Sequence, residues 1–411
     1  MNNILFNKRT IFFLVASVCL VFLSCKKDKA SPPKIDQVRL LDSTKRDSFF
    51  VRSLPGAMIV IQGSGFSGLQ NVYFNGFDAA FNSALNTDRN IIVMIPADAP
   101  TEATNPNVPN NIRVVTDHGE AVFEFRIVAP PPAITGASNE NALPGAVITL
   151  TGTNLYLLSS IVFPGNISTT SFTANSAGTE VTVTVPAGVT TADTLKVNGR
   201  FGAGKSNFVF DNYKVPTTGF LANFEDGNPY FGWQYWGGIQ TGSSTAFPGN
   251  TGNYIEIKPS GSINAGDGSW YSDNRAVMVA AGAWVPAANV SDPVDNYALK
   301  FEIFVKNVWK NGSIIIAPNN NFNRLARYAP WETSASGQFS TTGWQTVTIP
   351  LNRFLSGSGN YNPTGSPAAN IGALTGGSNT ATLQLMLYND SATPLTNFDA
   401  AVDNVRIVKI K

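Results

Sequence analysis

Cysteine is almost missing from this chain: of 411 residues only Cys19 and Cys25 are cysteine, and both fall in the first 25 positions. Beyond residue 25 there is no disulfide, no thiol nucleophile and no cysteine metal site. Histidine is scarcer still, with His118 alone in Thr116-Asp-His-Gly119. Zinc chemistry would have to rest on carboxylates. Charged residues make up 13% of the chain and the net charge is +1, without the basic stripe a nucleic-acid binder carries. The longest apolar run, Ile11 to Leu23, has 13 residues, too few to cross a bilayer comfortably as a helix. What is plentiful is Gly (36), Pro (25) and Phe (27), a mixture that favours short strands joined by many turns. The length suits about three domains of ordinary size.

The N-terminus reads in three parts: Lys8 and Arg9, the apolar run, and Phe22-Leu23-Ser24-Cys25. This is the pattern of an export signal. A small residue before a cysteine at this place resembles a bacterial lipobox, although Phe22 departs from the usual Leu. The resemblance implies that residues 1–25 are a lipoprotein signal and that Cys25 carries the lipid. Residues 26–33, Lys-Lys-Asp-Lys and then a Pro-containing stretch, form a tether.

A repeat organises the first half. Leu54-Pro-Gly-Ala-Met-Ile-Val-Ile-Gln-Gly-Ser-Gly-Phe66 leads to Val72-Tyr-Phe-Asn-Gly76. At a constant offset of 89 residues, Leu143-Pro-Gly-Ala-Val-Ile-Thr-Leu-Thr-Gly-Thr-Asn-Leu155 leads to Ile161-Val-Phe-Pro-Gly165. Each copy adds an alternating strand that ends in proline, Ile91–Pro96 and Val181–Pro186, and each begins after a proline cluster. Pro-Gly before an alternating run is a turn feeding a strand, and strands at this spacing build sandwiches. Both copies resemble the immunoglobulin-like IPT/TIG domain, one over residues 34–129 and one over 130–215. The second lacks the Gly-Phe landmark, having Asn154-Leu155 instead. Gly63-Ser-Gly-Phe-Ser-Gly68 satisfies a dinucleotide-binding pattern literally, but that motif needs a helix next, and a strand follows.

Residues 217–411 differ in composition, holding all seven tryptophans. They open on Leu221-Ala-Asn-Phe-Glu-Asp-Gly227 and close on Phe398-Asp-Ala-Ala-Val-Asp-Asn-Val-Arg-Ile-Val408. Strands such as 297–305, 344–349 and 381–387 alternate with Gly/Asn/Ser loops, which fits a β-jelly roll. The opening and closing phrases resemble carbohydrate-binding modules of that fold. The expected fold is therefore all-β: two Ig-like sandwiches followed by a jelly roll.

A neutral polysaccharide offers hydroxyls and flat C–H faces, so its site needs exposed rings and a few planar polar groups. Aromatic residues inside alternating strands, such as Phe301, Trp344 and Tyr388, are expected in the core. Those in polar, Gly-rich loops are candidates: Trp233, Tyr235 and Trp236; Trp270 and Tyr271; Trp331 with Tyr328 and Arg327. If extended, 233–236 puts Trp233 and Tyr235 on one side and Trp236 on the other. Trp309, between Lys306 and Lys310, reads more readily as a ring over the core. Arg275, Asn274, Glu332 and Gln240 lie close enough in sequence to serve as polar partners.

The whole order of tether, repeat pair and aromatic-rich body resembles a surface glycan-binding protein of the B type, which accompanies Sus-like glycan importers in Bacteroidetes. That resemblance implies spacer repeats, a C-terminal domain holding a β-glucan or hemicellulose, and no catalysis. It implies as partners a neutral polysaccharide and a Sus-like TonB-dependent importer. It implies an outer-membrane location facing outward, with membrane contact only through the lipid on Cys25. It also implies a platform in which Trp236 is followed by the pair Trp270-Tyr271, in reversed order. No cofactor is expected beyond a structural Ca²⁺, for which acidic residues near both ends of such modules, here Glu225 and Asp403, supply hard oxygen ligands. An adhesin or protein-docking lipoprotein shares every feature except the tryptophan-rich loops. A glycoside hydrolase would need two carboxylates across a cleft, and no spacing among Asp226, Glu302 and Glu332 singles out an acid and a base.

Overall fold

In the computed structural model both Leu-Pro-Gly landmarks feed strands, Met58–Ser64 and Val147–Thr153. The structure describes residues 31–411 except 43, 45–46, 212–217, 226–238, 242–244, 250–251, 270–272 and 358–360. Residues up to 130 form one compact unit and residues 131–411 another.

In the first unit a three-stranded sheet (Lys34–Leu40, Met58–Ser64, Asn90–Met94) faces a four-stranded one built on the hairpin Asn111–Thr116 and Gly119–Glu124. Alternation buries Ile59 and Ile61 from one sheet against Val72, Phe74, Ile112 and Val114 from the other. His118 sits in the hairpin turn, its N–H on Thr116 Oγ1 at 3.2 Å. The segment after Gly63-Ser-Gly-Phe-Ser-Gly68 is the strand Leu69–Phe74, so no helix N-terminus is available to a pyrophosphate.

The second repeat joins its strands into one eight-stranded path but keeps the same glycine details. Gly63 pairs with Ile35, and Gly152 with Ile134, each beside a β-bulge in the opening strand. A Cβ at either glycine would come far inside van der Waals contact of a carbonyl oxygen, that of Lys34 or Ala133. The landmark glycine is therefore a requirement of close strand approach. Where the first copy has Gly65 at φ 72°, the second has Asn154 at φ 55°, and asparagine tolerates this left-handed conformation. Leu155 then takes the buried place of Phe66.

Two further sheets make the C-terminal body. One contains Ile239–Thr241, Tyr254–Ile257, Ala400–Lys409, Tyr297–Val305 and Gln345–Pro350 in that order, with Phe220–Ala222 also on Ala400–Lys409. The opening and closing phrases of the domain thus pair side by side. The other contains Ala276–Ala283, Thr380–Tyr388, Ser313–Pro318, Arg324–Tyr328 and Leu355–Ser356. Their inner faces share one large core that includes Leu299, Phe301, Ile303, Leu383 and Leu385. The only α-helix among the described residues is the five-residue Ile371–Thr375.

Every residue of Tyr297–Val305 is buried, including Lys300 and Glu302 on its outward side. The second repeat covers them. Glu140 of the repeat pairs with Lys300 and with Arg406 at 3.0 Å, and Arg406 grips Glu302 at 2.8 and 3.0 Å. Thr346 completes the joint: its hydroxyl accepts from Glu140 N at 2.8 Å and donates to Glu302 at 2.7 Å, and its own N–H donates to Ser138 O at 2.9 Å.

Candidate functional site

The five-stranded sheet has a second, outer face. Register sets the row Ala276, Met386, Ile315, Arg327 on that face and Ile314 with Tyr328 on the other. Ala276, Ile315, Ala317, Leu325, Met386 and Tyr388 form a small separate core there, covered by Phe322 and Tyr361. At its edge lies a cavity of about 640 Å³, bounded by Asp267, Arg327, Trp331, Glu332, Tyr361 and Asp390 among others.

Two half-buried rings face this cavity. Trp331 stands in a 3-10 turn, Pro330–Glu332, packs against the main core, and is held by its indole N–H on Gly312 O at 2.9 Å. Tyr361 lies on Tyr388 with ring centres 4.3 Å apart and planes 45° apart. Tyr388 is buried, as its place in a strand led one to expect, yet it is also a wall of the cavity.

Between the rings the polar groups are already tied together. Arg327 donates through Nη1 and Nη2 to both oxygens of Glu332, at 2.7 and 2.8 Å, and through Nε to Asp390 Oδ2 at 2.7 Å. Burial opposes the guanidinium charge, but Glu332 and Asp390 outweigh it and hold the Arg327 pKa above its usual value. Ser313 donates to the same Asp390 oxygen at 3.0 Å, while Asp390 Oδ1 is buried without a hydrogen-bond partner.

Arg275 is buried and turned inward. It donates to Asp267 Oδ2 at 2.9 Å and approaches Asp273 at 3.6 Å. It therefore ties together the loop residues Asp267 and Asp273, which flank Trp270 and Tyr271 in sequence. That hydrogen bond from Arg275 is the largest cause holding the Asp267 carboxyl below its ordinary range. The same loop meets the sheet at Gly268, where an added Cβ would come within 2.6 Å of the Tyr388 ring. Asn389 anchors the preceding chain, donating to Ile263 O and Asn264 O, each at 2.9 Å.

Of the residues singled out in the sequence, Trp331 and Arg327 meet in the cavity and Arg275 stands behind it. Tyr328 turns the other way. Its ring lies edge-on to Phe301 at 5.9 Å and to Trp309 at 5.8 Å, and burial pushes its hydroxyl pKa up. Trp309 is buried, its indole N–H on Asn311 O at 2.7 Å. Trp233, Tyr235, Trp236, Trp270, Tyr271 and Cys25 lie outside the described residues. Tyr361 was missed, although it stands in Ser356-Gly-Ser-Gly-Asn-Tyr-Asn362, the kind of loop that selected the others. Asp267 and Asp390 carry no such signal, since nothing in their local sequence marks a cavity wall.

Glu225 accepts the Asn253 N–H at 2.6 Å, beside Gly252, and Asp403 accepts from Asn404 N and Nδ2 at 2.7 and 3.2 Å. Glu225 thus ties the opening of the domain to residue 253, and Asp403 lies within the strand Ala400–Lys409. Among the described residues no three His, Cys, Asp or Glu side chains gather as a metal ion requires.

Residues 213–409 match the family model described as the surface glycan-binding protein B xyloglucan binding domain. An IPT/TIG domain-containing protein of Bacteroides ovatus is 25% identical over 349 residues, which span 76% of this chain and 68% of the relative. The crystal structure of surface glycan-binding protein PbSGBP-B from Prevotella bryantii superposes with a TM-score of 0.66 at 22% identity, covering 93% of this chain and 99% of that one. The shared architecture is thus that of repeated sandwiches followed by a β-sandwich body.

Proposed function

We propose that the chain, whose residues 213–409 match the surface glycan-binding protein B xyloglucan binding domain, captures a neutral polysaccharide of the β-glucan or hemicellulose class and does not cleave it. The observation that carries this is the cavity that Trp331 and Tyr361 line together with a pre-tied Arg327, Glu332 and Asp390. Stacking on such rings contributes about 1–3 kcal/mol per ring. Side chains already locked lose little entropy on binding. A hydrolase would instead need a carboxyl kept protonated near neutral pH beside a second, ionised one. Here Asp267 is held ionised by Arg275, and Glu332 and Asp390 share one guanidinium.

The lipid anchor on Cys25, display on the outer face and delivery to a Sus-like importer belong to the same reading. They rest on the N-terminal pattern and on the family. Titration calorimetry against soluble xyloglucan, mixed-linkage glucan, xylan and mannan, with reducing sugar followed in parallel, tests the proposal. Binding to one of the first three without release of reducing ends is expected. Release of reducing ends, or no binding to any of them, would overturn it.

A further inference from the structure

We propose that the cavity selects against polysaccharides bearing uronic acids, and that Glu332 and Asp390 are the residues that set this preference. The inference rests on the reading that the cavity is the glycan site, and adds to it which sugars are refused. The charges decide the matter. Asp267, Asp273, Glu332 and Asp390 stand at or just behind the wall against two guanidiniums, Arg275 and Arg327, leaving two negative charges in excess.

Both guanidiniums are already paired with protein carboxylates. Arg327 spends Nε, Nη1 and Nη2 on protein carboxylates, and Arg275 is 7% exposed and faces Asp267 and Asp273. No lysine lines the cavity among the described residues. A sugar carboxylate would therefore enter a negative field in which each cation is already compensated by protein carboxylates. A hydroxyl, in contrast, finds an acceptor: ionised carboxylates only accept, and the Glu332 carboxylate stands exposed at the cavity. Glu332 stands nearest to solvent, with 43% of its side chain exposed, so it is the charge an approaching uronate meets early.

The probes are xyloglucan and the same xyloglucan partly carboxymethylated, titrated into the full chain at about 20 mM and about 500 mM salt, where the Debye length shrinks several-fold. The neutral polymer should bind with little dependence on salt. The acidic polymer should bind at least about tenfold more weakly at low salt, with the gap narrowing at high salt. Glu332→Gln and Asp390→Asn should narrow the gap at low salt, and the ratio of the two affinities is the readout. Melting curves confirm that each variant is folded, and the exposed Glu332 site gives a variant whose folding is not at risk. Equal binding of both polymers at low salt overturns the inference while leaving the glycan-binding reading intact. A gap that ignores both salt and the substitutions is steric and overturns it too. Binding of neither polymer at either salt removes the glycan-binding reading itself for this polymer class, and the inference with it.

Discussion

Tyr361 and Tyr328 contrast a ring at the cavity with a ring in the core. Tyr361 is half-buried on Tyr388 at the cavity, so Tyr361→Ala should leave a shallow gap and remove about 1–3 kcal/mol of stacking, roughly five- to a hundredfold in affinity. Calorimetric titration should show that loss with a melting temperature close to wild type. Tyr328→Ala should do the reverse, opening a void beside Phe301 and Trp309 at about 3–5 kcal/mol of stability. A Tyr328→Ala protein that melts normally and binds poorly would put that ring in the site after all. Composition alone could not tell the two apart, since both stand within a few residues of polar loops. Strand alternation settles Tyr328 once its register with Ile314 is known. Acid supplies a second residue-scale test. The Asp267 pKa is depressed chiefly by the Arg275 hydrogen bond, so its contribution is present above the ordinary carboxylate range and lost as pH falls through the depressed value. Both melting temperature and glycan affinity should therefore fall in acid. Asp267→Asn should start lower and respond less.

At the scale of the elements, the repeats were legible because their landmarks are steric. Gly63 and Gly152 occupy the same place because only a hydrogen fits against the carbonyl of the neighbouring strand. Gly152→Ala should displace that strand and cost about 1–3 kcal/mol. Gly261→Ala, with open space around the added methyl, should stay within about 0.5 kcal/mol. Thermal melting of the two variants makes the comparison, and equal melting points would contradict the steric account. The strands 297–305 and 381–387 were equally plain from alternation, and the structure has Tyr297–Val305 and Thr380–Tyr388 there. What alternation could not convey is which outward face another part of the chain covers. Lys300 and Glu302 fall where a solvated side is expected, and both are buried. The partner that hides them, Glu140, is 160 residues from Lys300 in sequence, beyond the reach of any local pattern. The cavity was half legible for a related reason. Trp331 and Arg327 announce themselves by residue type, whereas Asp267 and Asp390 matter only because distant loops converge on one sheet edge.

For the molecule as a whole, the buried joint changes what the second repeat does. A spacer would touch its neighbour lightly, yet Glu140, Lys300, Glu302 and Arg406 are each less than a tenth exposed and form a set of ion pairs that crosses the boundary. Residues 131–411 accordingly form one compact unit, which holds both the second repeat and the cavity edged by Trp331 and Tyr361. Charges in such a place contribute little net stability as a set, because desolvation offsets their attraction. Removing one member is different, since its partners remain buried without compensation. Glu140→Ala would leave Lys300 with no carboxylate and Arg406 with Glu302 alone. It should destabilise the unit by about 3–5 kcal/mol. The same reasoning applies to a fragment beginning near residue 217. It would expose Lys300 and the Arg406–Glu302 pair to water and uncover the outer side of Tyr297–Val305, so it should melt below the intact chain while keeping the cavity residues. Calorimetric melting of the intact chain, the Glu140→Ala variant and that fragment provides the check. The expected order is intact chain highest, with both altered proteins several degrees lower and glycan affinity largely retained. A Glu140→Ala protein that melts with the wild type would mean that the joint is a loose contact and that the second repeat swings freely from the glycan-binding body.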